Sequence, residues 1–453
     1  MNPQIFREYD IRGIAGEDIT ENDAENIGKA YGSLIQKQGN KKVSVGRDCR
    51  LTSKEFSASF IKGILSTGCD VLDIGLCPTP VLYFSIEHFP TQGGAMITAS
   101  HNPAQYNGFK LMNGSDSIHS QGLQDLRKII EKNNYIKGRG QKEKADAITP
   151  YKKFLIDNIS IEQGIKIGVD AGNGTGGITA IPILKKLGCE VYELFCKPDG
   201  AFPNHAADPT IKNNMLDLIE LVKTKKLDLG VGYDGDADRI GIVDKTGRLI
   251  YGDQLMVIFA REILSRKPGA TFISEVKCSL NMYNDIEKHG GRAIMWKTGH
   301  SLIKKKMKQE NAALAGEMSG HMFFKDRYFG FDDALYATLR LLEILYKENK
   351  SVCELISDLP ETFNTPEIRV ECPDQIKFKI VEKICNLYKK KAKVIDIDGM
   401  RVVYDDGWGL VRASNTQPSL VLRFEATTKK RLDHIQKDIE TTLNTLLETY
   451  KEN

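Results

Sequence analysis

One pattern recurs three times along this chain and limits the folds open to it. An apolar strand runs into a polar loop at Val43-Ser44-Val45-Gly46-Arg47-Asp48, at Ile167-Gly168-Val169-Asp170-Ala171-Gly172 and at Phe272-Ile273-Ser274-Glu275-Val276-Lys277. A helical stretch follows each. A second strand then opens at Gly68-Cys69-Asp70-Val71, Gly188-Cys189-Glu190-Val191 or Gly290-Gly291-Arg292-Ala293. A third strand leads into a polar motif: Ser100-His101-Asn102, then Asp234-Gly235-Asp236, then Glu317-Met318-Ser319. Alternating strands and helices predict α/β layering. Loops at equivalent strand ends are where such sheets carry their chemistry, so three copies bring three motif loops toward one cleft.

From about Glu361 the pattern changes. A helical stretch near 377–391 is followed by short strands at 399–404, 409–413 and 420–425. The chain then runs into a last amphipathic helix with Leu432, Ile435, Ile439, Leu443, Leu446 and Leu447 on one face. The stretch from Pro360 to Pro366 reads as a linker. The expected domains are 1–145, 146–248 and 249–360, all mixed α/β, and a smaller α+β domain over 361–453.

Composition excludes several functions. The 63 basic and 60 acidic side chains nearly cancel, which argues against a nucleic-acid or membrane-surface partner. No apolar run approaches the roughly 20 residues of a membrane span, and the N-terminus lacks the regions of a signal peptide. Nine cysteines without a C-x-x-C pair predict reduced thiols and a cytoplasmic location.

The motifs carry the chemistry. Ser100 stands in Thr98-Ala99-Ser100-His101-Asn102-Pro103, after the apolar run 94–97. His101 adjoins it, and Lys110 follows in Tyr106-Asn107-Gly108-Phe109-Lys110. A turn serine is often only structural, but a serine beside a histidine and a lysine can exchange protons and tolerate phosphate charge. Asp234, Asp236 and Asp238 occupy alternate positions, so an extended segment would point all three one way. Like charges so placed call for a cation, and hard oxygen ligands favour Mg²⁺ or Ca²⁺. A calcium loop fails on spacing, because its sixth position is Arg239 and its twelfth Lys245. Glu317 and Ser319 share a side by the same alternation and suit neighbouring sugar hydroxyls. Arg412-Ala413-Ser414-Asn415-Thr416 follows a strand and reads as an anion nest, with Arg423 as added charge. Each motif has an ordinary polar turn as its alternative. The histidines at 88, 119, 205, 289 and 434 lack a partner pattern. Gly172-Asn173-Gly174-Thr175-Gly176-Gly177 matches the dinucleotide-binding G-x-G-x-x-G, with Glu190 and Glu193 downstream. That alone supports an NAD-dependent oxidoreductase; small residues for tight helix–strand packing explain it as well.

With these residues assembled, the chain resembles the α-D-phosphohexomutase superfamily over essentially its full length, most closely the bacterial phosphomannomutase/phosphoglucomutase branch. The motifs are FREYDIRG, GRD, TASHNP, YNGFK, DGDADR, KTGHS, GEMSGH, SNTQP and LRFEA. Ala99 and Ala237 stand where Gly is also usual. The related phosphoglucosamine mutase branch has Gln where this chain has Met318 and Gly where it has Asn415.

The resemblance implies four domains around a central cleft and a Ser100 that carries phosphate. It implies Mg²⁺ held by Asp234, Asp236, Asp238 and that phosphoserine, with Arg239 near the phosphate. Glu317, Ser319 and His321 would bind the sugar. Tyr9, Arg412, Ser414, Asn415 and Thr416 would hold the phosphate that does not react. Arg12, His101, Lys110, Lys277 and His300 would take acid–base and charge roles, with no single general base assigned. The implied activity is reversible phosphoryl transfer between C1 and C6 of hexose phosphates, by a monomer, with a hexose 1,6-bisphosphate as intermediate and activator. Phosphoglucosamine mutase, a phosphatase, an NAD-dependent oxidoreductase and a non-catalytic sugar-phosphate binder are the rival readings.

Overall fold

The computed structural model describes residues 1–161, 164–415 and 417–451. The threefold unit is present, and its copies share one sheet topology. In the first domain the order runs Tyr106–Asn113, Gly93–Ile97, Lys42–Arg47, Asp70–Leu76. In the second it is Ile240–Asp244, Leu229–Tyr233, Lys166–Asp170, Glu190–Leu194, and in the third Met322–Phe324, Leu314–Gly316, Thr271–Glu275, Arg292–Trp296. Each time the last three strands are parallel and the outer one is antiparallel. Each polar motif therefore occupies the same slot, the connection from the third strand of the unit into its antiparallel fourth. The first sheet gains Ile11–Ile14, Asp116–Ser117 and Lys142–Lys144, and the second gains Leu249–Ile250.

The fourth domain is an antiparallel sheet ordered Phe363–Asn364, Ser419–Ala426, Gly407–Ala413, Met400–Tyr404, Lys393–Ile395. Ile368–Glu371 pairs alongside Phe363–Asn364 on the same neighbour. Helices Asp374–Tyr388 and Lys429–Lys451 close it, the latter through Leu432, Ile435, Ile439 and Leu443. The 360–366 linker is less loose than its two prolines suggest, because Phe363 and Asn364 pair with Ala426 and Glu425.

One apolar core runs through the first three domains. Helix Thr79–His88 is buried almost throughout; its Tyr83 and Phe84 join Tyr151 and Leu155 and, farther on, Phe331 of the third domain. Helix Ala334–Glu348 is buried from Ala334 to Leu345. Its Arg340 is tied to Glu262 at 2.8 Å and Asp326 at 3.2 Å, because a buried guanidinium needs carboxylate partners. No helix among the described residues is long and apolar enough to cross a membrane.

Helix Glu21–Lys37, opened by a Thr20/Asp23 capping box, lies so close to helix Ser53–Leu65 that each needs a glycine. A Cβ on Gly28 would fall 2.1 Å from the Phe60 carbonyl oxygen, and one on Gly63 2.1 Å from that of Glu25. Gly28→Ala should therefore lose about 1–3 kcal/mol by overpacking, outweighing the gain of up to about 1 kcal/mol in helix propensity. Urea unfolding of the two proteins measures the difference.

Candidate active site

The first motif loop meets the second at Ser100, and the second meets the third beside it. Strand Gly93–Ile97 delivers the serine into a turn where it is buried with φ of 51°. A non-glycine residue holds this left-handed conformation only when its surroundings fix it. Here the Ser100 amide donates to Thr98 Oγ1 at 2.9 Å. Arg50 donates to the carbonyls of Ser100 at 2.8 Å, Pro103 at 2.7 Å and Tyr106 at 2.9 Å, and also to that of Asn102. Asp48 pairs with Arg50 at 3.2 Å. The Ser100 hydroxyl donates to Asp234 Oδ2 at 2.7 Å and lies 3.2 Å from His101 Nδ1.

Asp234, Asp236 and Asp238 do converge, all buried, with ligand atoms within 4.8 Å of one another. The route differs from strand alternation. The segment is a tight turn with Ala237 at φ 59°, closed by Ala237 N–H to the Asp234 carbonyl at 3.1 Å. Asp234 Oδ1 accepts the amides of Asp238 at 3.0 Å and Arg239 at 3.1 Å. Lys110 reaches in from strand Tyr106–Asn113 and bridges Asp236, at 2.7 Å, and Asp238. Thr79 Oγ1 donates to Asp236 at 2.6 Å. Burial, then Asp238 and Asp236, pushes the Asp234 carboxyl well above its ordinary range. Burial acts the same way on Asp236, but Lys110 overrides it and holds that carboxyl below its ordinary range. Asp236 Oδ1 and Asp238 Oδ1 are buried and accept no hydrogen bond among the described residues. Three clustered carboxylates with bare oxygens are a donor set that fits Mg²⁺.

The second and third motif loops are joined. Ile240 N–H donates to the Gly320 carbonyl at 3.1 Å, and Arg239 Nε donates to His321 Nε2 at 2.9 Å. Gly320 has φ of +90°, and a Cβ there would fall 2.2 Å from the Ile240 carbonyl oxygen. His321 Nδ1 lies 3.0 Å from Asp332 Oδ2 and 3.6 Å from Asp238 Oδ1. His300 stacks on His321 with ring centroids 5.6 Å apart and meets Tyr9 edge-on at 5.9 Å. Neither His300 ring nitrogen has a hydrogen-bond partner among the described residues. Burial and nearby Lys304 hold His300 well below the ordinary histidine range, and burial with Arg239 and Arg12 does the same to His101. Burial and the neighbouring cations thus favour the neutral form of both rings near pH 7.

A second group of side chains gathers at Gly299 and Tyr9. Glu317 Oε1 accepts the Gly299 amide at 2.6 Å, and Ser319 Oγ donates to Glu317 Oε2 at 3.3 Å. Tyr9 donates its hydroxyl to the Thr298 carbonyl at 2.7 Å and accepts Asn415 Nδ2 at 2.6 Å, so three domains touch at one side chain. Arg412 pairs with Asp398 at 2.9 Å, and that carboxylate also accepts the Thr298 amide at 3.0 Å. Ser414 is buried in the same turn, which Lys377 supports from beneath through the carbonyls of Ser414 and Gln417. Lys277 lies 3.1 Å from Glu367 and 3.5 Å from Glu275. Arg12 pairs with Asp10 at 2.7 Å and donates to Asn102 Oδ1 at 2.9 Å. Arg423 instead serves the Lys277 carbonyl and lies 3.5 Å from Asp253. Thr416 lies outside the described residues.

Sequence reasoning did not find Arg50, Thr79, Asp332 or Lys377. The first, second and fourth act on backbone or on a carboxylate far away in sequence; Thr79 and Asp236 are 157 positions apart. The dinucleotide reading of 172–177 is contradicted by where its amides go. Gly172 donates to Asp170, Asn173 to Phe195, Gly174 to Ala171 and Thr175 to Gly235. A Cβ on Gly174 would fall 2.6 Å from the Gly235 carbonyl oxygen, so this loop is the floor beneath the aspartate turn. His205, without a pattern in sequence, meets Asp170 at 3.0 Å. A cavity of about 510 Å³ lies away from Ser100, at the seam of the third and fourth domains, lined in part by Asp253, Ser279, Asn281, Arg423 and Glu425.

Four family models match in order: Phosphoglucomutase/phosphomannomutase, alpha/beta/alpha domain I over 3–137, domain II over 145–247, domain III over 251–363 and the C-terminal domain over 367–442. A phosphomannomutase/phosphoglucomutase of Pseudomonas aeruginosa is 46% identical over 433 residues, 95% of this chain and 94% of that one. A phosphoglucomutase of Neisseria gonorrhoeae is 43% identical over 437 residues, 95% of each. The crystal structure of a phosphoglucomutase/phosphomannomutase family protein from Burkholderia thailandensis superposes with a TM-score of 0.93 at 41% identity, covering 98% of both chains.

Arg50→Met should cost about 3–5 kcal/mol, because it leaves the Asp48 charge buried without its partner. Guanidinium unfolding measures the loss; stability within about 0.5 kcal/mol of the parent, the range of an ordinary surface change, would mean that Arg50 does not hold the Ser100 turn.

Proposed function

This chain belongs to the phosphoglucomutase/phosphomannomutase family, and from that premise we propose that it is an isomerase moving a phosphoryl group between C1 and C6 of mannose and glucose phosphates. The observation that carries the reading is the Ser100 hydroxyl, 2.7 Å from Asp234 in a fixed left-handed turn where the motif loops meet.

In the proposed cycle Ser100 begins phosphorylated. The bond from phosphorus to Ser100 Oγ breaks, and one forms to the free hydroxyl of the sugar. The hydroxyl proton passes to an acid–base group of the cleft, for which His101 and His300 are the candidate imidazoles. The sugar now carries two phosphates and turns in the cleft. The second phosphate then returns to Ser100 Oγ, and its old ester oxygen takes back a proton. Lys110, Arg12 and Arg239 set positive charge around the transferring group, which is the main demand of this chemistry. Burial works against the Lys110 charge, but Asp236 and Asp238 hold its pKa above the ordinary value, which suits a fixed cation better than a base. Asp234, Asp236 and Asp238 are the proposed Mg²⁺ ligands, together with the phosphate on Ser100. When bound, the ion neutralises charge on the phosphoryl oxygens.

Glu317 and Ser319 are proposed to grip two adjacent sugar hydroxyls, and Tyr9, Arg412, Ser414, Asn415 and Thr416 the resting phosphate. If the pair reads O3 and O4, C2 goes unread, and mannose and glucose phosphates are both accepted. The Asn415–Tyr9 bond supports this over the phosphoglucosamine mutase alternative, whose pattern has Gly at 415 and no side chain to make it. A hexose 1,6-bisphosphate activator, a monomeric state and a cytoplasmic location complete the proposal; nine free cysteines suit a reducing compartment.

Parallel measurement of kcat/KM should give comparable values for mannose 1-phosphate and glucose 1-phosphate, and at least about tenfold less for glucosamine 1-phosphate. Dominant glucosamine turnover would transfer the chain to the other branch. Ser100→Ala should lose at least about a thousandfold in kcat. Stripping Mg²⁺ with EDTA should abolish turnover, and adding Mg²⁺ back should restore it.

A further inference from the structure

The fourth domain grips the loop of the third that carries Lys277, and it does so with buried charge. The loop follows strand Thr271–Glu275. Three of its amides are satisfied within the third domain: Val276 N–H donates to the Trp296 carbonyl at 3.1 Å, Lys277 N–H to Glu275 Oε2 at 3.3 Å, and Cys278 N–H to the Glu275 carbonyl at 3.0 Å. Its three successive carbonyls are served from the fourth. Arg401, on strand Met400–Tyr404, donates through Nη1 to the carbonyls of Val276 and, at 2.9 Å, Cys278. Arg423, on strand Ser419–Ala426, donates through Nη1 to the carbonyl of Lys277 itself. The Arg401 guanidinium lies on the Trp408 ring, 3.7 Å from its centroid, and Trp408 Nε1 is fixed by Glu425 at 2.8 Å.

This is a costly way to join two domains. Both arginines are buried. Nε and Nη2 of Arg401 and Nε of Arg423 have no hydrogen-bond partner among the described residues. Apolar side chains of similar volume would hold the seam more cheaply. What the guanidinium groups add is a fixed place for three consecutive peptide groups. The middle one belongs to a lysine whose ammonium lies against Glu275 and Glu367.

We propose that Arg401 and Arg423 are positioning residues that set Lys277 in the cleft, so that the aim of this third-domain lysine depends on the seating of the fourth domain. The role of Lys277 in turnover rests on the mutase reading; the clamp on its loop does not.

The test is a double-mutant cycle with Arg401→Met, Arg423→Met and Lys277→Met. Each arginine variant should lower kcat about ten- to a hundredfold, the cost of misplacing a group by about an ångström. In the Lys277→Met background neither should lower it further. Arg423→Lys, which keeps one donor for the carbonyl, should recover part of the loss. Losses that multiply in the double variants, or arginine variants with full kcat, would overturn the proposal. A second measurement needs no substrate. Amide hydrogen exchange of 276–280 should speed up in Arg423→Met while that of 94–100 stays unchanged. Unchanged exchange at 276–280 would overturn the clamp. Wild-type protein inert toward hexose phosphates would fail the mutase reading instead, and the exchange result would still decide the clamp.

Discussion

Three carboxylates out of water and within 4.8 Å of one another are the constraint on which the rest of this molecule depends. Left alone they repel, and burial would neutralise them. The chain answers with cations and donors from other parts of the sequence. Lys110 and Thr79 come from the first domain to carboxylates of the second. Arg239, whose amide donates to Asp234, extends its side chain to His321 of the third. Charge balance thus demands that the domains close on one another, and the glycine at 320 permits the contact between the second and third motif loops.

Within that frame the repeated unit divides the labour. The same slot, between the third strand and its antiparallel neighbour, holds Ser100, the proposed nucleophile, in the first copy. It holds a carboxylate cluster in the second and, in the third, Glu317 and Ser319, the pair proposed to grip sugar hydroxyls. The fourth domain has a different fold and adds a basic, amide-rich turn around Arg412. No copy is complete alone, and apolar packing is continuous from helix Thr79–His88 to helix Ala334–Glu348.

The repeat was legible in sequence because strand periodicity and the Gly-Cys or Gly-Gly openings recur in one order. Ser100 and the three aspartates were legible because reactive residue types cluster over a few positions. The manner of their convergence was not. Strand alternation would align the aspartates, yet the chain turns at Ala237, and a left-handed alanine leaves no periodic trace. Arg50 was hidden because it serves carbonyls, which every residue has. The 172–177 loop misled for a related reason: a glycine pattern records where backbones come close, and here the neighbour is the Gly235 peptide rather than a pyrophosphate.

The bond between Tyr9 and Asn415 spans 406 positions and ties the first domain to the fourth. Near it, Arg7 and Asp374 approach only to 3.9 Å, both well solvated. A neutral hydrogen bond contributes about 0.5–1.5 kcal/mol, and an exposed ion pair less than about 1 kcal/mol. A fastener of that strength biases the shut form by less than about two orders of magnitude. A cleft held by so weak a fastener can gape on thermal fluctuation alone. In the proposed cycle a doubly phosphorylated sugar tumbles before it reacts again, which would call for an enclosure of this kind, one whose opening draws on no fuel and whose reclosing competes with escape.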